Sequence, residues 1–296
     1  MSAFPASSSP EACGTVLGTI SLTAGAPAFD PLTERSRETW SAADFGRIAV
    51  GFSRGAEAFV ERLSLARGET VLDVACGTGN LAIPAARRGA RVTGIDIAAN
   101  LIEAAWQASV AESIDISFDV GNAEALPYGE ARFETVISMF GVMFAARPDR
   151  ALAELLRVTK RGGRIVLANW TSTGFVASML RAHAALVPPP TGTPSVLAWG
   201  DESAMSERLE VHASRIRSVR FTPRTIALAY PLTPGGVVEL FREFYGPSLR
   251  TFKALDAQRR AALTADLLQL WSSRNAEQNG HTSVDAEYLE VQIDLA

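Results

Sequence analysis

Cysteine, lysine and histidine are scarce in this chain of 296 residues. Its two cysteines, Cys13 and Cys76, are too few for a disulfide framework or a cysteine-based metal cluster, so we expect no metal. Lys160 and Lys253 are the only lysines, and the net charge is −4. Because nucleic-acid binding depends on a concentrated positive surface, this charge balance predicts no nucleic-acid partner.

Long apolar runs are also lacking. No stretch approaches the roughly 20 apolar residues of a membrane-spanning helix, and the N-terminus lacks the basic start and apolar core of a signal peptide. We therefore expect no membrane association and a cytoplasmic location. The chain is 47% hydrophobic, which is enough for a sizeable core in one large domain or in a core domain with an insert.

A strand pattern that ends in a carboxylate and a glycine turn is the most informative feature. Residues 71–74 are apolar except for Asp73, and Gly77 and Gly79 precede an amphipathic segment that predicts a helix over residues 80–88. A strand, a glycine loop and a helix in this order place free N–H groups beside the end of a parallel sheet, where nucleotides bind. Glycine there lets the backbone turn sharply and approach a ligand closely.

The loop also fits the dinucleotide pattern G-x-G-x-x-G/A, with Ala82 in the last position. However, an acid inside the strand, Asp73, suits a cationic amino-acid-like group better than a pyrophosphate. A second acid, Asp96, ends the next predicted strand 17 residues after Gly79, where it can accept ribose hydroxyls of either kind of cofactor. An NAD(P)-dependent oxidoreductase therefore stays open, although no tyrosine is followed by lysine four residues on, as a Tyr-x-x-x-Lys site requires.

Strand and helix patterns alternate as far as Trp170 and then lapse. Alternation of this kind predicts an α/β fold with a doubly wound, mostly parallel, Rossmann-like sheet of seven strands. The later segment predicts a helical cap inserted in the C-terminal part. Strands are predicted near residues 70–75, 91–95, 115–120, 133–138, 164–169, 214–221, 225–231 and 288–295, and helices near residues 47–63, 80–88, 98–112, 147–159, 173–185, 235–245 and 256–274.

Four segments occur in order along the first part of the chain: residues 73–79, 94–97, 121–127 and 133–141. In this order and spacing they resemble the successive motifs of class I S-adenosylmethionine (SAM)-dependent methyltransferases, of the quinone-biosynthesis and small-molecule type. The resemblance covers residues 36–170 well. It implies SAM as cofactor and a small-molecule methyl acceptor as the second ligand.

The resemblance also implies roles in holding the methionine and ribose parts of SAM. Asp73 and the backbone around Ala75 and Gly77 would hold the amino and carboxylate groups of the methionine. Gly79 would keep space open for the cofactor. Asp96 would accept the two ribose hydroxyls.

The resemblance also implies residues that contact the adenine and residues that cover the methionine portion of SAM. Ile97 would pack on the adenine, and Asn122 and Ala123 would address its edge. The family often has Asp where Asn122 stands, but an amide oxygen still accepts from the adenine amino group. The backbone of Ser138 and Met139 would close over the methionine portion.

An N-terminal aromatic segment often covers the cofactor in this family, which implies such a role for Trp40. An electron-rich ring also attracts a sulfonium; alternatively, Trp40 and Phe45 anchor the N-terminal segment to the core. His183 is the histidine nearest to where an acceptor is expected, and it is the candidate general base, with an ordinary surface histidine as the alternative. Tyr128 and Tyr245 are weaker candidates for the same role. Trp170 is a candidate wall of the acceptor site, together with Trp199 and Phe140.

We expect four parts of the chain. Residues 1–32, rich in Ser, Pro, Ala and Gly, predict a loosely ordered arm. Residues 33–170 form the SAM-binding core, residues 171–285 the substrate cap and late strands, and residues 286–296 the closing strand of the core sheet. The alternatives to a methyltransferase are the oxidoreductase and a SAM-binding protein without catalysis.

Overall fold

The computed structural model describes residues 19–22 and 30–296. Within these residues, eight strands form one sheet in the order β1-β4-β3-β2-β5-β6-β8-β7. The strands are β1 (Thr19–Leu22), β2 (Thr70–Val74), β3 (Arg91–Asp96), β4 (Ser117–Val120), β5 (Phe133–Met139), β6 (Thr159–Trp170), β7 (Ile216–Tyr230) and β8 (Thr282–Leu295).

Helices connect the parallel strands and continue after them. Those before β6 are α1 (Pro31–Ser41), α2 (Phe45–Ala49), α3 (Ser53–Arg62), α4 (Ala82–Arg87), α5 (Ala99–Ala111) and α6 (Pro148–Val158). The later ones are α7 (Phe175–Leu186), α8 (Glu202–Glu210), α9 (Pro234–Phe244), α10 (Gly246–Ala254) and α11 (Ala257–Arg274). None of the helices in the described part of the chain has the length and apolar character needed to cross a bilayer.

The strands from β1 to β6 pair in parallel. Strand β8 runs opposite to the other described strands and is antiparallel to both of its neighbours, β6 and β7. This is the predicted doubly wound sheet, with the closing strand inserted beside β6. The closing strand begins at Thr282 and not at residue 286, because its long pairing with β7 extends beyond the core sheet. Since the parallel strands point the same way, β2, β3 and β5 end together at one edge of the sheet, where ligands of such folds bind.

Three features of the sheet correct the sequence-based expectation. Residues 19–22, predicted to be part of a loosely ordered arm, form an edge strand on β4, and α1 begins at Pro31; the rest of residues 1–29 lies outside the described residues. The two strands predicted at residues 214–221 and 225–231 are one strand, β7. Pro223 does not interrupt β7, because a proline is tolerated on an edge strand.

The helices α1, α8 and α10 were not predicted. The start of α1 does carry a clear signal: Asp30 accepts the backbone N–H groups of Leu32 and Thr33, and proline follows at the first helical position. This signal was missed because the surrounding composition indicates an arm. The short 3-10 helix Val50–Phe52 divides the predicted helix 47–63 into α2 and α3.

Close packing joins this 3-10 helix to β7. A Cβ added to the buried residue Gly51 would lie 2.2 Å from Tyr230 Cζ, so only glycine fits there. The Tyr230 hydroxyl donates to the Ile48 carbonyl at 2.8 Å, which limits how far the ring can move. The N-terminal helices are therefore fixed against the C-terminal part of the sheet.

Gly51→Ala is predicted to lower the free energy of unfolding by about 1–3 kcal/mol, because the added methyl group overpacks this contact. Urea unfolding measures the change. Gly129→Ala is the matched control, since no atom lies within 4 Å of its added Cβ. Equal stabilities of the two variants would contradict the packing described here.

Candidate functional site

The loop after β2 has an unusual backbone. Ala75, Gly77 and Gly79 all have positive φ, at 55°, 55° and 85°. Glycine adopts this conformation at little cost, whereas an L-residue such as Ala75 is strained there. A Cβ added to Gly77 would meet only the Phe45 ring within 4 Å, at 3.6 Å, so this part of the loop borders open space.

Two buried carboxylates end the neighbouring strands β2 and β3. Asp96 is occupied by backbone donors: Gly77 N–H donates to Oδ2 and Ala98 N–H to Oδ1, each at 2.9 Å. Asp73 Oδ2, in contrast, is buried without a hydrogen-bond partner among the described residues. Burial raises the pKa of both carboxyls, and the nearby Asp96 charge raises that of Asp73 further.

These strand ends open into one cavity, which we call the central cavity. It lies at the carboxyl edge of β2, β3 and β5, as expected for a ligand site in this fold. Most of the predicted cofactor residues meet on its wall. They are Trp40, Asp73, Ala75, Gly77, Asp96, Ile97, Asn122, Ala123 and Met139.

Two predicted cofactor residues, Gly79 and Ser138, do not line the central cavity. A Cβ added to Gly79 would contact the Ile83 side chain at 3.2 Å, so it would point into packed protein and not into this cavity. The Ser138 hydroxyl donates to the Val74 carbonyl at 2.6 Å and accepts from Val142 N–H at 3.0 Å. Ser138 thus joins β2 to the loop after β5 from behind the wall.

Asn122 lines the cavity, and one of the two polar groups of its side-chain amide already has a hydrogen-bond partner. Its Oδ1 accepts the backbone N–H of Glu124 at 2.9 Å, which leaves the Nδ2 group as the one without a partner inside the described chain. The Nδ2 group can therefore donate to a ligand, and Oδ1 keeps a second lone pair, so the predicted acceptor role toward the adenine stays a prediction.

Helix α1 covers the central cavity, to which it contributes Thr33, Ser36 and Trp40. Arg147, at the start of α6, joins α1 to the loop after β4. Its Nη1 pairs with Asp30 and lies 3.3 Å from Glu124 Oε2.

We call Asp30, Thr33, Glu124 and Arg147 the Arg147 cluster. The Thr33 hydroxyl donates to Asp30 Oδ2 at 2.7 Å. The Arg147 guanidinium holds the pKa of Asp30 well below its usual range. Glu124 is buried, so without Arg147 its charge would lack compensation.

An apolar space, the aromatic chamber, lies beside the central cavity. Aromatic rings dominate its wall, and the two spaces share five of them: Trp40, Phe45, Phe52, Phe140 and Phe144. Trp170, stacked on Phe140 with centroids 3.5 Å apart, extends the wall as predicted. Its remaining lining residues are Ile48, Val176, Met179, Leu228, Tyr230, Phe241 and Tyr245.

His183, the predicted general base, is not part of either space. It is buried between α7 and α10, where Nδ1 donates to the Met179 carbonyl at 2.7 Å and Nε2 accepts from the Ser248 hydroxyl at 2.8 Å. Both ring nitrogens are thus occupied, and burial lowers the pKa of the imidazole. His183 thus has the contacts of a buried structural residue, which its position in the sequence did not indicate. Trp199 is also buried outside the chamber.

Comparison with known proteins gives the family. A family model for the methyltransferase domain matches residues 72–167. An uncharacterized protein of Mycobacterium tuberculosis is 33% identical over 246 residues, which cover 80% of this chain and 89% of that protein. Demethylmenaquinone methyltransferase of Renibacterium salmoninarum is 30% identical over 200 residues, which cover 62% of this chain and 78% of that enzyme. The chain belongs to the class I SAM-dependent methyltransferases.

The fold of this methyltransferase is found in solved structures as well. Phosphoethanolamine N-methyltransferase 2 of Haemonchus contortus matches with a TM-score of 0.57 at 13% identity, over 90% of this chain and 60% of that one. At this identity the likeness concerns the fold alone. The family assignment confirms the predicted enzyme class and favours it over an oxidoreductase or a non-catalytic protein.

Arg147→Met is predicted to loosen α1 over the central cavity, because Glu124 and Asp30 lose their shared cation. Amide hydrogen exchange across residues 31–41 should quicken by about tenfold, which corresponds to about 1.4 kcal/mol of local opening free energy. Arg150→Met is the control, since Arg150 is an exposed residue of the same helix. Unchanged exchange in α1 would show that the Arg147 cluster does not hold the helix.

Proposed function

We propose that this methyltransferase binds SAM in the central cavity and methylates a small, apolar, ring-containing acceptor in the aromatic chamber. One observation carries the proposal. Asp73 Oδ2 is a buried carboxylate oxygen without a partner in the described chain, on the wall of a cavity. An unpaired buried charge is costly, so this position favours a ligand that brings a cation.

The residues on the wall fit the parts of SAM. The ammonium group of the methionine supplies the donor that Asp73 lacks. Asp96 keeps acceptor capacity after its two backbone contacts, because each carboxylate oxygen has two lone pairs, and it is suited to ribose hydroxyls. Ile97, Asn122 and Ala123 offer an apolar surface and an amide for the adenine.

The shared aromatic rings suit the sulfonium. When bound, SAM supplies an activated methyl group on a positively charged sulfur. Trp40 lies where the central cavity and the aromatic chamber meet, with its ring centroid 5.0 Å from that of Phe144 and 5.6 Å from that of Phe45. Electron-rich faces at this position attract a sulfonium through cation–π interaction.

The chamber indicates what kind of acceptor fits. No Asp, Glu, Lys, Arg or His is found among its described lining residues. Tyr230 donates to a carbonyl, and burial raises the pKa of both Tyr230 and Tyr245, so both stay neutral near pH 7. The described lining of the chamber therefore offers no strong base, and the acceptor brings its own nucleophilic atom while the chamber contributes proximity and orientation.

A planar quinol or phenol satisfies these demands. Its ring can stack among the aromatic side chains. An electron-rich ring carbon, or a hydroxyl already ionised in water, can take the methyl group from SAM without a protein base, and the proton of a methylated ring carbon leaves to solvent. The demethylmenaquinone methyltransferase relative supports this class of acceptor.

SAM binding is predicted to depend on Asp73 and on pH. Asp73→Asn should weaken SAM by at least about tenfold, because a charge-assisted hydrogen bond contributes about 1.5–3 kcal/mol. The raised pKa of Asp73 means that at low pH the ammonium must displace a proton. The affinity of the native protein should therefore fall as pH is lowered, and Asp73→Asn should lose most of this dependence. The remainder is attributed to Asp96, whose pKa is also raised.

Calorimetric titration with SAM, and with NAD as a separate ligand, measures these effects. Asp266→Asn, at an exposed position, is the control. Native binding of NAD but not SAM would overturn the proposal, and full SAM affinity in Asp73→Asn would overturn the role of that carboxylate.

A larger side chain in the aromatic chamber is predicted to reduce methylation of the acceptor while SAM binding is kept. Val176 lines the chamber but not the central cavity, so Val176→Phe should reduce methyl transfer to quinols and phenols at least tenfold. SAM affinity should change by less than about threefold, well under 1 kcal/mol. Val211→Phe, at an exposed valine, is the control. Methyl transfer is measured with labelled SAM and a panel of quinols and phenols. Loss of SAM binding with unaltered acceptor preference would mean that the chamber binds the cofactor and not the acceptor.

A further inference from the structure

A third space, the outer groove, meets the other two at the Trp40–Phe144 pair. These two rings line the central cavity, the aromatic chamber and the outer groove alike. Its other wall is formed by proline-containing turns with exposed residues, among them Pro190 and Pro194. An acceptor whose ring occupies the chamber would therefore extend past Trp40 and Phe144 into this groove.

Two arginines, Arg35 and Arg250, line the outer groove. Neither has a carboxylate within ion-pair distance in the described part of the chain, whereas Arg37, on the same helix as Arg35, is paired with Glu34. Arg250 Nη1 donates to the Thr39 hydroxyl at 3.1 Å, a neutral partner.

The lowered pKa of Arg250 is consistent with a groove that binds an anion. Burial lowers the pKa of Arg250, and the neighbouring Arg35 charge lowers it further; Glu38 acts in the opposite direction but is the smallest of the three influences. Two like charges on one partly desolvated groove repel each other. An anionic group between them would remove this repulsion and would receive planar, multiple donors from both guanidinium groups.

We propose that Arg35 and Arg250 bind an anionic oxygen group of the acceptor, a carboxylate or a phosphate monoester, while its ring lies in the aromatic chamber. This inference rests on the proposed function for the location of the ring. It narrows the acceptor from any small ring compound to one with an acidic substituent on the side that faces solvent. Among the described residues that line the groove, Arg35 and Arg250 are the charged ones, so this lining carries a net positive charge even with Glu38 close enough to act on Arg250.

The experiment uses naphthyl compounds with linkers of one to six methylene groups that end in a carboxylate, a phosphate monoester or a primary amide. Their binding to the full chain is measured by calorimetry, with and without S-adenosylhomocysteine. For the best linker, at least one of the two anionic compounds should bind about tenfold or more tightly than the amide. The preference should fall below about threefold in the double variant Arg35→Gln/Arg250→Gln.

Control variants distinguish the two groove arginines from the general charge of helix α1. Arg37→Gln, on the same helix but outside the groove, should keep the preference, and Arg35→Lys/Arg250→Lys should keep part of it because the charge remains. Urea unfolding confirms that the variants are folded, and their SAM affinity should match that of the native protein.

The outcomes that would overturn the inference are distinct. One is the absence of any preference for the anionic compounds in the native protein, and another is a preference that survives in the double glutamine variant. Inorganic phosphate that binds as tightly as the naphthyl compounds would mean a free-anion site and not an acceptor subsite. Because the anion preference is also measured without cofactor, failure of SAM binding would overturn the proposed function separately.

Discussion

Two carboxylates removed from water at the ends of adjacent strands, Asp73 and Asp96, determine how this site is built. Asp96 receives two backbone N–H groups and so fixes the glycine loop against β3. One oxygen of Asp73 has no hydrogen-bond partner within the described part of the chain. Both carboxyls have raised pKa values, so the folded chain binds protons more readily than the unfolded chain and loses stability as pH rises through that range. A cationic ligand would offset this loss of stability. This connects the two buried carboxylates with the proposed function.

The sheet and the central cavity were predictable because their signals are local. Strand periodicity predicted β2 to β5 to within two residues at each end, but β6 begins five residues before its predicted start; nine predicted cofactor residues line one cavity. Three predicted site residues, Gly79, Ser138 and His183, lie outside both spaces. They were assigned from position along the chain, whereas their surroundings depend on packing between distant elements, and their predicted roles stay predictions.

Most residues of the aromatic chamber could not be predicted from the sequence for the same reason. The aromatic chamber is assembled from α2, α7, α9 and the ends of β6 and β7, with segments more than 100 residues apart in sequence, and no periodicity indicates that these rings meet. Helix α1 carried a recognisable start in Asp30 and the proline after it. Its aromatic residue, Trp40, contacts Phe45, Phe144 and Tyr245, and it lines both the central cavity and the aromatic chamber.

A crystal structure with S-adenosylhomocysteine bound would test this site in one measurement. We expect the amino group within hydrogen-bond distance of Asp73 Oδ2, the ribose hydroxyls at Asp96, and the sulfur facing the junction at Trp40 where the aromatic chamber opens. A ligand with its ribose in the aromatic chamber, or with its amino group away from Asp73, would contradict the conclusion that this unpaired carboxylate selects the cofactor.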